Sequence, residues 1–315
     1  MRRSFLNYAR AGALAGLLAM SASAAHADTL QQDLKDLSEK QIEDSVEFAF
    51  GNALFFMFHE AGHLLVSEFG LPVLGREEDA VDTLSTLLLL EADDDVFDTA
   101  LIDSVDGWTF SADASEAAEE EQALWDAHGL DRQRAFNMVC LMVGKDPKKF
   151  KQSADDVEMP QNRRQECAGE FQKAHDSWFG VLKPHLRTGD KKSKFTITYK
   201  PAKTKDLKDY VDLVKEAKVL DLLSELLSSL YVLKDGIKLT AAECGEPNAY
   251  WSADEREVTY CYELMQYHTQ TVAKYFREEE SGDNSESASN ESDEEESSTK
   301  PTISKNIIGT ATPRK

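Results

Sequence analysis

Residues 41–69 read QIEDSVEFAFGNALFFMFHEAGHLLVSEF, and this stretch decides the architecture. Its apolar side chains (Phe48, Phe50, Leu54, Met57, Ala61, Leu65) fall on most sides of a helical wheel. That pattern predicts a central helix buried nearly all round, since a surface helix would show one polar face. Gly70 and Pro72 follow as a stop signal. Inside the helix lies His59-Glu60-Ala61-Gly62-His63, a His-Glu-x-x-His pattern. A separation of four residues puts both imidazoles on one helix face, where each can offer a nitrogen to one Zn²⁺ at ~2.0–2.1 Å. Glu60 projects beside them and can take a proton from water. Two histidines and a glutamate on an otherwise apolar helix cost desolvation unless something binds them.

Outward from this helix the pattern stays helical. Glu77 to Leu90 predicts a second, leucine-rich helix on which Glu78 and Asp82 share a face one turn apart. Helices are also predicted over Ser115 to Ala127, Asp131 to Val143 (with Asp131 as N-cap) and Pro160 to Leu186. Lys194 to Lys200 then alternates as a strand does, Thr204 to Leu233 reads as a long amphipathic helix, Glu255 to Tyr260 is strand-like, and Leu264 to Phe276 closes as a helix. The expected class is α+β, mostly helical, with a small sheet built from the later segments. The Leu88–Leu90 run and the Leu220–Leu233 stripe read as core. Asp93-Asp94-Asp95 lacks the glycine and spacing of a calcium loop and reads as a solvated helix cap. His175, His185 and His268 lack ligand spacing and read as structural.

The ends differ in character. Arg2 and Arg3 precede an apolar stretch from Ala11 to Ala25, and Ala25-His26-Ala27 is a small-x-small cleavage site, so residues 1–27 are expected to be a signal peptide. The opening Arg2-Arg3-Ser4-Phe5-Leu6 also resembles a twin-arginine signal, which leaves folded export and the ordinary secretory route both open. The expected location is periplasmic or secreted, with no membrane span in the mature chain. Glu278 to Glu296 holds ten acids among Ser and Asn with no aromatic residue, so 278–315 is expected to be a disordered acidic tail. Residues 28–277 remain as one domain. Cleavage after Ala27 removes three arginines and no acid, taking the net charge from −23 to −26. Such acidity argues against nucleic-acid binding, which needs basic patches. Four cysteines (Cys140, Cys167, Cys244, Cys261) in an exported chain suggest two disulfides. Three pairings are possible; Cys140–Cys167 with Cys244–Cys261 is favoured because each closes a short loop.

The third ligand is where a family resemblance enters. The longer metzincin motif requires Gly and His where this chain has Val66 and Phe69. Glu78-Asp79-Ala80-Val81-Asp82 resembles instead the Glu-x-x-x-Asp of the gluzincins, the thermolysin-like clan. That resemblance implies a zincin-like helical core, with Glu78 as zinc ligand and Asp82 hydrogen-bonded to the outer nitrogen of a ligand histidine. Glu77 competes for the ligand role. Over most of the mature chain, His59–His63, Gly75–Ala80, His128–Arg134, Cys244–Ala249 and Cys261–Leu264 together resemble a bacterial family of exported metallopeptidases catalogued as domain of unknown function 4344.

The expected activity is therefore zinc-dependent hydrolysis of a peptide or protein substrate, with Glu60 as general base. A peptidase also needs a donor for the oxyanion, for which His128 is the candidate. Arg132 or Arg134 could serve instead, or could bind a substrate carboxylate. Asn248-Ala249-Tyr250-Trp251 resembles the edge strand that pairs with substrate in thermolysin-like enzymes, making Asn248 and Ala249 candidate substrate-binding residues. In those enzymes the strand precedes the zinc helix, so here the order would be permuted; a core hairpin stapled by Cys244–Cys261 is the alternative. The rival to catalysis is an envelope zinc-binding or interaction protein whose zinc site is structural or vestigial.

Overall fold

The computed structural model describes residues 29–286. The expected signal peptide and the tail beyond Glu286 lie outside the described residues. The chain is α+β and mostly helical, with a four-stranded mixed sheet made from later segments.

A short helix α1 (Thr29–Asp33) precedes the central helix α2 (Glu39–Phe69). Ser38 caps α2: its Oγ accepts from the Gln41 N–H, while Gln41 Oε1 accepts from the Ser38 N–H at 2.8 Å. Gly70 ends the helix in the left-handed conformation (φ 60°), which glycine adopts without steric cost. Phe48, Leu54, Phe55, Met57, Phe58, Leu64 and Leu65 are fully buried, as the all-round apolar pattern requires. Around α2 pack α3 (Glu77–Glu91), α4 (Asp95–Ala117) and the closing helix α10 (Tyr262–Glu286).

α5 (Asp131–Lys145) packs on α3 and α4 and, from its other side, on α7 (Gln161–Leu182); the single-turn α6 (Lys151–Asp156) lies between them in sequence. A disulfide joins Cys140 of α5 to Cys167 of α7. Strands β1 (Phe195–Tyr199), β2 (Ile237–Ala242), β3 (Ala249–Ser252) and β4 (Glu257–Cys261) form a sheet in the order β1-β2-β4-β3. The first two contacts are parallel; β3 runs antiparallel to β4, with Trp251 opposite Val258. The second disulfide, Cys244–Cys261, staples the approach to this hairpin. Helices α8 (Lys208–Ala217) and α9 (Val219–Leu230) fill the connection between β1 and β2. Among the described residues no helix is long and apolar enough to cross a membrane.

Four expectations need correction. The helix expected over Ser115–Ala127 is α4, which starts at Asp95 and ends at Ala117. Glu119, Glu120 and Glu121 would place three acids at the negative end of the helix dipole, so the helix stops short and 118–130 becomes a loop. Asp131 is the first helical residue rather than the cap, and its carboxylate accepts from Ser111 Oγ at 2.6 Å. The long helix over Thr204–Leu233 is two helices, broken at Lys218 (φ 52°). The closing helix runs past Phe276 to Glu286, so residues 278–286, expected to be part of the disordered tail, are helical. Strand β2 was not anticipated, because its burial pattern is nearly continuous and does not alternate.

Candidate metal centre

Helix α2 sets His59 and His63 one turn apart and edge to face, their ring centroids 5.0 Å apart. After the turn at 70–76, the first two turns of α3 deliver Glu77, Glu78 and Asp82 to the same place. The approach of the two helices is tight because Gly62 has no side chain: a Cβ there would stand 2.7 Å from Val81 Cβ. The loop 118–130 then brings His128 over the cluster, its ring stacked at 6.2 Å on that of His59.

Three imidazole nitrogens meet one carboxylate oxygen. Nε2 of His59 and of His63 each lie 3.1 Å from Glu78 Oε2, and Nε2 of His128 lies 3.0 Å from it. The outer nitrogens are each held by a further carboxylate: His59 Nδ1 by Asp82 at 2.7 Å, His63 Nδ1 by Glu77 at 2.8 Å, and His128 Nδ1 by Asp126 at 3.0 Å. A carboxylate only accepts, so each Nδ1 donates outward and each Nε2 is turned toward the centre, where it donates to Glu78 in the metal-free protein and would offer its lone pair to a bound cation. Three lone pairs and an anionic oxygen cannot be held together at such distances without protons or a cation between them. The Nε2–Oε2 separations approach the ~3.3 Å edge of a tetrahedron with ~2.0 Å metal–ligand bonds. The donor set, imidazole nitrogen with one carboxylate, suits zinc and neighbouring divalent ions.

The electrostatics agree. Hydrogen bonds from His128, His59 and His63 hold the Glu78 carboxyl far below its ordinary range. Burial lowers the proton affinity of His63, but Glu78 and Glu77 outweigh it and raise the group to about 9. His59 is raised by Asp82 and Glu78 against its burial, and His128 is raised chiefly by Glu78. Protons occupy the place a cation would take. Glu60 is buried at 5% exposure, 4.0 Å from His59 Nε2. Burial raises its carboxyl above the usual value, opposed by His59 and His63 and by a hydrogen bond from the Trp251 backbone N–H. That bond puts the sheet edge, β3, directly beside Glu60.

The structure brings together His59, Glu60, His63, Glu78, Asp82 and His128. It pairs Arg132 and Arg134 with carboxylates of the chain itself. Arg132 pairs with Asp113 and Glu116 of α4. Arg134 is buried at 6% exposure, donating Nε to Asp82 Oδ2 at 2.7 Å and Nη2 to Oδ1 at 2.8 Å. With Nε and Nη2 forked onto a buried carboxylate and the side chain itself buried, this guanidinium is a structural partner of Asp82. Asn248 sits at the start of β3, where its Oδ1 accepts from the Ala249 N–H at 2.8 Å, and Ala249 is buried. Sequence reasoning did not find the supporting roles of Glu77, Asp126 and Trp251. Glu77 was visible only as a competitor for the ligand position; the other two depend on tertiary placement and leave no local signal.

A protein-family profile described as "Putative metallopeptidase" matches residues 20–182 and 199–298. No curated protein and no solved structure matches the chain.

Proposed function

The chain belongs to the family described as "Putative metallopeptidase", and from that premise we propose that it hydrolyses peptide bonds with a zinc ion held by His59, His63 and Glu78. The observation that carries this reading is the convergence of both α2 imidazoles on Glu78 Oε2, with the Glu60 carboxylate adjoining. A zinc ion bound there supplies Lewis acidity, lowering the pKa of water and polarising the scissile carbonyl.

The remaining work falls to the chain's own groups. Glu60 accepts the proton of the attacking water at its carboxylate, then returns it to the leaving amine. Its burial raises its proton affinity and so makes it a stronger base toward that water. His128, half-exposed at the mouth and held at Nδ1 by Asp126, has Nε2 on Glu78 in the metal-free protein; once a cation takes over Glu78, that Nε2–H is free to serve the oxyanion that develops on the carbonyl oxygen. An extended substrate lies along β3, an edge strand of the sheet, near Asn248 and Ala249. Asp82 and Glu77 fix the tautomers of His59 and His63. Two disulfides fit an extracytoplasmic site of action.

A second reading has its own support. Donor atoms of His59, Glu78 and His128 lie within 4.8 Å of one another. His128 would then close the coordination sphere and the metal would be structural. Wild type, Glu60→Gln and His128→Ala are compared for bound zinc and for cleavage of a peptide library. The catalytic reading expects zinc retained in both variants, with turnover reduced about 10²–10⁴-fold in Glu60→Gln. Loss of zinc in His128→Ala, with no cleavage by wild type, establishes the structural reading instead.

A further inference from the structure

Arg134 is a buried cation held from two sides. Its guanidinium lies 3.6 Å over the ring of Trp108, which α4 presents, and forks onto both oxygens of Asp82. Trp108 in turn packs on Phe56 of α2, with centroids 5.4 Å apart. The Asp82 oxygen that receives Nη2 also receives His59 Nδ1, at 2.7 Å. An arginine buried this deeply costs several kcal/mol unless paired, so its partner is specified by the fold.

The placement has a second consequence. Glu78 and Asp82 lie one turn apart on α3, and a single segment answers both. His128 meets Glu78 at 3.0 Å and, six residues on, Arg134 meets Asp82 at 2.7 Å. Between them Arg76 Nη1 donates to the His128 carbonyl at 3.0 Å, and Gln133 Oε1 accepts from the Leu130 N–H at 3.3 Å. Of the segment's two polar contacts with Glu78 and Asp82, only the Arg134 contact is buried.

We propose that Arg134 is the positioning residue of the metal centre: its fork on Asp82 orients the carboxylate that fixes His59 and sets the register in which the 128–134 segment presents His128. This rests on reading the cluster as a metal site. A planar fork, not charge alone, is what the geometry uses, so lysine is not an equivalent.

The test uses the mature protein as wild type, Arg134→Lys, Arg134→Met, Asp82→Asn and the double variant Asp82→Asn/Arg134→Met. Zinc affinity is measured by chelator competition, and side-chain ¹⁵N NMR of the metal-free protein reads the His59 Nδ1 proton. Arg134→Met is expected to weaken zinc by about 10–100-fold, Arg134→Lys to recover less than half of that loss on a logarithmic scale, and the double variant to bind no more weakly than Asp82→Asn. The Nδ1 proton, slow to exchange in wild type, should become fast-exchanging in Arg134→Lys. Arg134→Lys keeps the buried charge, so it serves where Arg134→Met does not fold. Wild-type zinc affinity in Arg134→Lys, or an unchanged Nδ1 proton, overturns the proposal. A wild type that binds no zinc overturns the metal reading instead, and the proton measurement still decides the positioning role.

Discussion

Gly62 of α2 and Val81 of α3 are packed so closely that a Cβ added at Gly62 would stand 2.7 Å from Val81 Cβ and 3.3 Å from its Cα. This contact sets the distance between the helix that carries the histidines and the helix that carries the carboxylates. The glycine inside His-Glu-Ala-Gly-His is therefore a spacing element of the metal site as well as a helical residue.

Replacing Gly62 by alanine should force α3 outward and carry Glu78 and Asp82 with it. The added methyl improves helix propensity, but overpacking of this kind costs roughly 1–3 kcal/mol and outweighs that gain. We expect Gly62→Ala to unfold at lower urea concentration and to bind zinc at least about tenfold more weakly. Wild-type zinc affinity in this variant would show that the helix spacing is not what sets the site.

The two carboxylates behind the α2 histidines should contribute unequally. Asp82 is largely buried and Glu77 half-exposed, their side chains 11% and 46% accessible. Water can replace the exposed acceptor but not the buried one. Asp82→Asn should weaken zinc by about 10–100-fold, and Glu77→Gln by clearly less. Chelator competition on the two variants side by side checks the order; a larger loss in Glu77→Gln would contradict it.

The histidine cluster also makes the metal-free protein sensitive to pH. His63 is raised from 6.5 to about 9. A histidine whose folded form holds its proton more tightly contributes stability that is fully present below the unfolded value and lost as pH rises through the folded one. Metal-free protein should therefore lose thermal stability between about pH 6.5 and 9, a trend that His59 and His128, shifted in the same direction, reinforce. Glu78 is lowered, so its contribution is present above its ordinary value of 4.5 and lost on acidification. Zinc displaces the histidine protons, so loaded protein should show a flatter profile, and calorimetry in two buffers at pH 7.5 should detect proton release on binding. A flat profile without metal would contradict the arrangement.

Much of this was legible from sequence, for identifiable reasons. The central helix was readable because burial on all sides leaves an apolar pattern, and its end because Gly70 and Pro72 are explicit stop signals. His59, Glu60 and His63 were readable because all three lie within five residues of one helix. Glu78 and Asp82 share a helix face by local spacing, and their roles came from the resemblance of Glu78-Asp79-Ala80-Val81-Asp82 to the gluzincin Glu-x-x-x-Asp. What escaped depends on tertiary contact. Arg134 read as a candidate for the oxyanion or a substrate carboxylate because nothing near it in sequence announces Asp82 or Trp108 as its partners. Trp251 reaches Glu60 across nearly two hundred residues of chain. Strand β2 is buried along most of its length, so it lacks the alternation by which a half-exposed strand is recognised.

The central claim is that His59, His63 and Glu78 hold one metal ion, and diffraction at the zinc absorption edge from zinc-loaded crystals tests it most directly. A single anomalous peak is expected at ~2.0–2.2 Å from Nε2 of both histidines and from a Glu78 carboxylate oxygen. No peak there, or a peak with the Glu78 side chain turned away and no other carboxylate in its place, would contradict the account.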